Sequence, residues 1–442
     1  MNIRLLFLLL IDLIRNRRTF WVFRSSLKNI NYNEQNFKHE NEFIKLTTFL
    51  SKHEHYSNYS LSGDLDNDKK VWGNIPILTK KRIQKENLKE YYLENKLKNT
   101  KTVYTGGSTT GEPVMFIEDK RSGDYSRAYF YLAFYRFGWD FSKPWIKLWG
   151  RPELNNGIVS SFSKSISYFL QNCVAYNAFN MSDSMFFNIY TNISKTPHSH
   201  IYGYVNAIIE FAKYIELNKF RVNLDFILTT AELLTDTNKI YLEKIFQCPV
   251  YNGYACTEIN SVAYSELEGD KLIINTERVY LEIVGENDEL LPNGHIGRVI
   301  LTDLQKRSFP LVRYDTGDSA SIFRKEDSNG NKLNYLKDLN GRVSDVIRTS
   351  GGKIIHSTVI QFLLAEFFSK LKIDLLKFQV IQCVNKSLIF RLDLSQELDE
   401  IQSINLKLKL VKNIQEELSV VFTDKFSYTK SGKLKYFIIE EN

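Results

Sequence analysis

Apolar positions dominate the start of the chain and then settle into recognisable periods. From Ile3 to Ile14 every residue is apolar except Arg4 and Asp12, and Arg15-Asn16-Arg17-Arg18 follows. Residues 37–59 take a helical period, with Phe43, Leu46, Phe49 and Leu50 on one face and Lys or Glu over much of the other. Asn74-Ile75-Pro76-Ile77-Leu78 reads as a turn, after which Thr79 caps a helix that starts with Lys80, Lys81 and Arg82. Residues 125–137 form an aromatic-rich helical segment, and Trp145 to Trp149 reads as a strand running into a turn at Gly150. Trp145 and its aromatic neighbours fit a plain core better than a ligand pocket. Strand-to-loop-to-helix units recur at 201–205 and at 226–230. Such alternation predicts parallel α/β layers, with ligand loops at the carboxyl ends of the strands.

Beyond Lys271 the period becomes that of strands, at 272–274, 280–284 and 297–301, with turns such as Pro292-Asn293-Gly294 between them. Near Gly341 it changes again, to a compact α+β run: helix 358–370, strands 378–384 and 387–393, helix 397–418. The expected organisation is α/β: a large multi-layer N-terminal domain over 1–340 with a β-rich distal part, and a small α+β domain over 341–442. Residues 1–30 would be a helical extension of the first.

That extension has two readings. It is too short to cross a bilayer and lacks a small-residue cleavage site, so neither a span nor a signal peptide is expected. Its apolar positions, 3, 5–11, 13 and 14, are wider than one helix stripe. A helix packed on the main domain, against residues 37–59, is the simpler reading. A helix lying in a membrane leaflet, with its arginines near anionic headgroups, is the other.

Composition narrows the class. A chain of 442 residues with 43% hydrophobic and 14% aromatic residues can fill two cores. A net charge of +7 spread over this length suits anionic ligands or acidic surfaces and does not point to nucleic acid. Cys173, Cys248, Cys256 and Cys383 are scattered, as expected of reduced cysteines in a cytoplasmic protein. A local zinc site at Cys248 and Cys256, which flank the 252–258 segment, is the alternative to that simpler reading.

The candidate chemistry centres on Thr105-Gly106-Gly107-Ser108-Thr109-Thr110-Gly111-Glu112-Pro113. Glycines let backbone approach a ligand closely, and the amides and hydroxyls can wrap a phosphate chain. Gly106 and Gly111 have the separation of a P-loop, but Glu112-Pro113 stands where Lys and Ser or Thr are required. Glu112-Pro113 therefore argues against a P-loop ATPase, and a polar turn remains the plain alternative. Four further segments carry suitable groups. In Asn252-Gly253-Tyr254-Ala255-Cys256-Thr257-Glu258 the ring can stack on a base, the hydroxyl can hold a phosphate and the carboxylate can hold magnesium. In Tyr314-Asp315-Thr316-Gly317-Asp318 an acid follows a tight turn, an Asx turn being the plain alternative. Gly341-Arg342-Val343-Ser344 opens the last domain, and Tyr428-Thr429-Lys430-Ser431-Gly432-Lys433 lies near the chain's end.

Together and in this order, these segments resemble the motifs of the adenylate-forming enzyme superfamily, which includes acyl-CoA synthetases and peptide-synthetase adenylation domains. The Asn74–Ile83 segment resembles the entry of its phenylacetate–CoA ligase-like branch, which includes proteins of capsular polysaccharide gene sets. The resemblance implies an AMP-forming ligase using ATP and Mg2+ to activate a small carboxylic acid. An acceptor then takes the acyl group: coenzyme A, or an amine or hydroxyl of a glycan intermediate. It implies nucleotide-binding roles for Thr105, Gly106, Gly107, Ser108, Thr109, Thr110 and Gly111, for Ala231 and Glu232, and for Tyr254, Ala255 and Thr257. Asp318 and Arg342 would approach the ribose, Glu258 the metal, and Lys433 would be the catalytic lysine, assisted by Thr257 and Glu258. Ser344 falls at the hinge. The chain departs from the pattern at Glu112, Ala255 and Ser344, which keeps a non-catalytic binding or scaffolding relative as the alternative.

Overall fold

The computed structural model describes residues 3–440 apart from 29–31, 86–99, 105–114, 150–153, 156–157, 160–161, 179–180, 268–269, 327–331, 343–345, 351–353, 357–359, 429–433 and positions 361, 362, 365, 366, 369, 372 and 374. Two compact units emerge. One comprises Met1–Lys143, Leu170–Asn172 and Tyr251–Leu339; the other comprises Pro144–Phe169, Cys173–Val250 and Asn340–Asn442.

The first unit opens with helices α1 (Ile3–Ile14), α2 (Thr19–Lys28) and α3 (Tyr32–Leu50). The third stops nine residues short of the expected 59. There the chain turns back, so that Tyr56, Leu61 and Trp72 join Phe43, Leu46 and Leu50 in one core cluster. The aromatic helix runs Lys120–Arg136, beginning earlier than expected because the Asp119 side chain accepts from Ser122 N and caps it. The β-rich part follows the order Val279–Val284, Gly297–Asp303, Tyr314–Glu326, Lys332–Arg342, Leu272–Ile274, Ala263–Ser265, ending beside Tyr251 to Tyr254. Phe116, Ile259, Val299, Leu301, Phe309 and Tyr314 fill its main core.

One irregularity in these strands is important for the site. Arg298 pairs with Ser319 and Ile300 with Asp315, so residues 316–318 lie opposite Val299 alone. Gly317, at φ +78°, supplies the backbone conformation this bulge needs.

In the second unit, strands Cys173–Asn177, Trp145–Trp149, His200–Tyr204 and Phe226–Thr230 lie side by side in that order and run parallel. Helices Asp183–Lys195, Val205–Leu217 and Asp236–Phe246 pack their apolar faces onto this layer through residues such as Ile189, Ile208, Phe211 and Leu242. Trp145 is buried and stacks on His200, as a core residue would. A smaller sheet, ordered Leu418–Phe422, Leu388–Leu394, Leu375–Gln382, Phe437–Ile439, carries helix Glu400–Ile414. That helix was expected to reach 418. It ends instead at Gln415, in a left-handed conformation at φ 64°, and Leu418–Phe422 becomes a strand parallel to Leu388–Leu392. The expected helix 358–370 lies largely on positions outside the described residues.

Candidate active site

Strand Val250–Tyr254 delivers the central segment. Past its end Cys256 N donates to Ile259 O at 3.2 Å, closing a turn that leaves Thr257 exposed and Glu258 buried. The Glu258 carboxylate is held by two groups that the motif did not reveal. Tyr314 Oη donates to Glu258 Oε1 at 2.7 Å, and Lys80 Nζ lies 3.2 Å from the same oxygen. Burial alone would raise this carboxyl's pKa, but the Lys80 charge and the Tyr314 hydrogen bond hold it below the ordinary value, so Glu258 is ionised. Burial, and the carboxylate beside it, push Tyr314 well above the usual phenol range, which keeps it a donor.

Lys80 reaches this point because the entry segment is zipped to the Tyr314 strand. Leu78 N donates to Arg313 O at 2.9 Å and Asp315 N donates to Leu78 O at 3.0 Å. Arg313 adds bonds to the carbonyls of Gly73 (2.9 Å) and Ile75 (2.7 Å), and an ion pair with buried Glu282 at 3.2 Å. Thr79 Oγ1 accepts from Arg82 N at 3.1 Å, the expected cap, and Lys80 begins the helix Lys80–Lys85.

A substitution follows from this pairing. Lys80→Met strands an ionised carboxylate in the interior. The loss should reach about 3 kcal/mol at neutral pH, less than for a fully enclosed pair because Lys80 keeps 21% of its side-chain surface. Glu258 has a depressed folded pKa, so its contribution is present above the ordinary carboxyl range and is lost as pH falls through the folded value. The stability gap between wild type and variant should therefore shrink below about pH 4. Denaturant unfolding across pH measures it. A gap that does not change with pH would show that Lys80 acts through packing alone.

The second half of the site is the bulge. Asp318 Oδ2 accepts from Tyr254 Oη at 2.7 Å, Asp318 N donates to Thr316 Oγ1 at 3.1 Å, and Thr316 Oγ1 donates to Val299 O at 3.0 Å. The strand holding Tyr254 thus also orients the acid expected at the ribose. Burial and the neighbouring Asp318 push Tyr254 well above the ordinary phenol pKa.

Beneath the 254–258 segment lies a buried charge network. Lys306 Nζ donates to the Glu258 carbonyl at 3.0 Å. Asp303 accepts from Gln305 N (2.8 Å), Lys306 N (3.0 Å) and Ser122 Oγ (2.9 Å), and pairs with the guanidinium of buried Arg278. None of these residues belongs to a recognisable motif.

In the second unit, Ala231 adopts φ +66° after strand Phe226–Thr230. Glu232 spreads its carboxylate between two backbone amides, Asn206 N at 2.8 Å on Oε2 and Leu434 N at 3.2 Å on Oε1. Leu434 directly follows the candidate lysine in sequence. Thr105, Gly106, Gly107, Ser108, Thr109, Thr110, Gly111, Ser344 and Lys433 lie outside the described residues, and of Arg342 only the backbone is described, at the end of strand Lys332–Arg342.

Among the described residues no three His, Cys, Asp or Glu side chains gather as a metal cluster. Cys248 is buried, and burial pushes its thiol up to about 12; Cys256 is raised well above the ordinary value by burial and by nearby Glu258. Both shifts disfavour the thiolate, as in cysteines that pack as small apolar residues. Magnesium makes a different demand: one or two carboxylates, with water and substrate phosphates completing its shell. An ionised, buried glutamate whose charge is balanced by a displaceable ammonium fits that demand.

The chain has the fold of the adenylate-forming enzymes, and solved structures that share it include CoA ligases and an amide bond synthetase. A 2-hydroxyisobutyryl-CoA ligase in complex with its acyl-AMP matches at a TM-score of 0.68 and 14% identity, covering 91% of this chain and 89% of that one. The anthranilate CoA ligase AuaEII with anthranoyl-AMP matches at 0.52 and 15%, covering 75% and 64%. The amide bond synthetase McbA from Marinactinospora thermotolerans matches at 0.51 and 12%, covering 75% and 66%. By sequence the chain is similar to protein CapK of Staphylococcus aureus, 27% identical over 246 residues. That match spans 53% of this chain and 51% of that protein, about half of each. It agrees with the branch resemblance seen in the sequence. No family model matches the chain.

Proposed function

We propose that the chain activates a small carboxylic acid with ATP, forming an acyl-adenylate and releasing pyrophosphate, and then passes the acyl group to an acceptor. The observation that carries this reading is the pairing of the two acids: Glu258 buried and kept ionised by Lys80 and Tyr314, and Asp318 oriented by Tyr254. The chemistry must bring a carboxylate against an α-phosphate although both are anionic, so positioning and charge neutralisation dominate over nucleophilic side chains. Residues 105–111 would wrap the phosphates, Thr257 and Lys433 would hold the reacting α-phosphate, and Ala231, Glu232, Tyr254 and Ala255 would border the adenine. Asp318 and Arg342 would hold the ribose. Mg2+ would sit on Glu258 and neutralise phosphate charge. Domain organisation follows the same reading: a large ATP- and carboxylate-binding part over 1–340 and a mobile C-terminal part from 341, turning near Ser344.

The acceptor is coenzyme A, or an amine or hydroxyl of a glycan intermediate in capsule or surface polysaccharide biosynthesis. The first is supported by the 2-hydroxyisobutyryl-CoA ligase, one of whose structures holds its acyl-AMP together with CoA; the second by the likeness to CapK. ATP and CoA are cytoplasmic metabolites, and the free cysteines suit the same compartment.

Pyrophosphate release with ATP, magnesium and a panel of carboxylic acids tests the reading. Acid-dependent pyrophosphate is the expected result. Inorganic phosphate would make the protein an ATPase, and no release from protein that binds ATP would make it a non-catalytic relative.

A further inference from the structure

The first helix shows an organisation that the nucleotide chemistry does not require. Six apolar side chains of α1, Ile3, Leu6, Phe7, Leu10, Leu13 and Ile14, are exposed, from 42% at Leu6 to 82% at Ile14. Their spacing of three and four residues makes one continuous stripe along the helix. The opposite side is fixed in place. Leu8 and Asp12 are buried, and Asp12 Oδ2 accepts from Phe20 N at 2.7 Å, joining α1 to α2. Buried Asp124 then receives Arg17 Nη1 (3.0 Å), Arg18 N (2.8 Å) and Thr19 Oγ1 (3.0 Å), joining the turn between these helices to helix Lys120–Arg136. The stripe is thus turned outward by specific polar contacts. The expected packing of this face against residues 37–59 is not what buries α1.

We propose that this face docks on an anionic lipid surface. Charge decides the occupant. Over residues 3–27 the basic side chains are Arg4, Arg15, Arg17, Arg18 and Arg24, and the one acid, Asp12, is buried, so every exposed charge in the segment is positive. A second copy of the chain would bring these like charges together, whereas anionic headgroups neutralise them. Trp21 on α2 is 63% exposed beside them, an aromatic of the kind that settles at the headgroup level. The helix is too short to cross: its twelve residues make about 18 Å against roughly 30 Å of hydrocarbon. Among the described residues no helix is long and apolar enough to span a membrane. It lies in the interface with its apolar arc among the acyl chains.

The test is flotation of the full chain with vesicles of phosphatidylcholine alone and of phosphatidylcholine with phosphatidylglycerol, and it stands apart from any enzymatic assay. Recovery with the anionic vesicles, weakened by salt and accompanied by a blue shift of tryptophan emission, is expected. The double variant L10Q/I14Q alters exposed positions only; it should keep the wild-type melting temperature and lower vesicle partition about tenfold or more. Failure of the full chain to float with anionic vesicles, equal flotation with both lipids, or wild-type flotation of L10Q/I14Q would each overturn the proposal. A halving of the lipid-free mass in that variant would assign the face to a second copy instead.

Discussion

Replacing Lys433 by alanine is expected to slow acyl-adenylate formation by about two to four decades while the protein stays folded. The barrier being lowered is electrostatic: negative charge grows between an attacking carboxylate and an α-phosphate, and a lysine aimed at that point acts only as the transition state forms. The neighbourhood supports such a role. Leu434 N, one residue on, is tied at 3.2 Å to the carboxylate of Glu232, in the segment proposed to border the adenine. The two half-reactions separate this role from a structural one. Transfer from a supplied acyl-adenylate should change far less than adenylation, because pyrophosphate has already left and the α-phosphate is no longer under attack. Lys433→Arg, which keeps charge but changes its shape, should recover part of the rate. Equal losses in both half-reactions would remove Lys433 from the chemistry.

The second large effect is on stability. Asp303→Asn is expected to cost about 3–5 kcal/mol, because it leaves the fully buried Arg278 guanidinium without a counter-charge. Burial would raise the Asp303 pKa, but Arg278 and Lys306 hold it below the ordinary value. A depressed carboxyl contributes its stability above the ordinary range and loses it as pH falls through the folded value, so the wild-type protein should weaken below about pH 4 and the variant much less steeply. Removing the stranded guanidinium as well, Arg278→Met with Asp303→Asn, keeps a side-chain acceptor at 303 and should recover part of the loss. Denaturant melts of the three proteins decide it; a double variant no better than Asp303→Asn would show that the pair's charges are not what matters. The effect extends to the site, since Asp303 shapes the 303–306 turn from which Lys306 holds the Glu258 carbonyl.

These residues mark the boundary of what was legible in the sequence. The parallel layer and the strand-rich region were readable because their periods are long and regular, and Asp318 and Glu258 stood out as candidates because they sit in compact motifs. Lys80 belongs to the run Lys80-Lys81-Arg82, a pattern that most simply forms a solvated basic helix face. Nothing local tells a solvated lysine from one that a backbone ladder between Leu78 and Arg313 brings to a buried glutamate. Arg278, Asp303 and Lys306 had no signal at all, because a buried ion network is assembled from residues distant in sequence and has no period. The helix expected over 397–418 overruns for a simpler reason: Gln415-Glu416-Glu417-Leu418 are all good helix formers, and the left-handed residue that ends the helix is Gln415, not a Gly or Asn that would mark the stop. The width of the apolar run in α1 was visible, but its outward aim depends on Asp12 and Asp124, and the second of these lies more than a hundred residues away.

The bulge at 316–318 has a parity that constrains how this site can change. Three residues stand where the neighbouring strand has one, so the excursion adds an even number of positions. Side chains on a strand alternate between two faces, and an even addition leaves that alternation in phase on both sides. Tyr314 and Thr316 before Gly317, and Ala320 and Ile322 after it, accordingly all point to the interior. A lineage could lengthen or erase the excursion two residues at a time without disturbing the core. An insertion or deletion of one would turn Ala320 and Ile322 to the opposite face and bring Ser319 and Phe323 inward in their place. The reach of Asp318 is therefore adjustable only in steps of two.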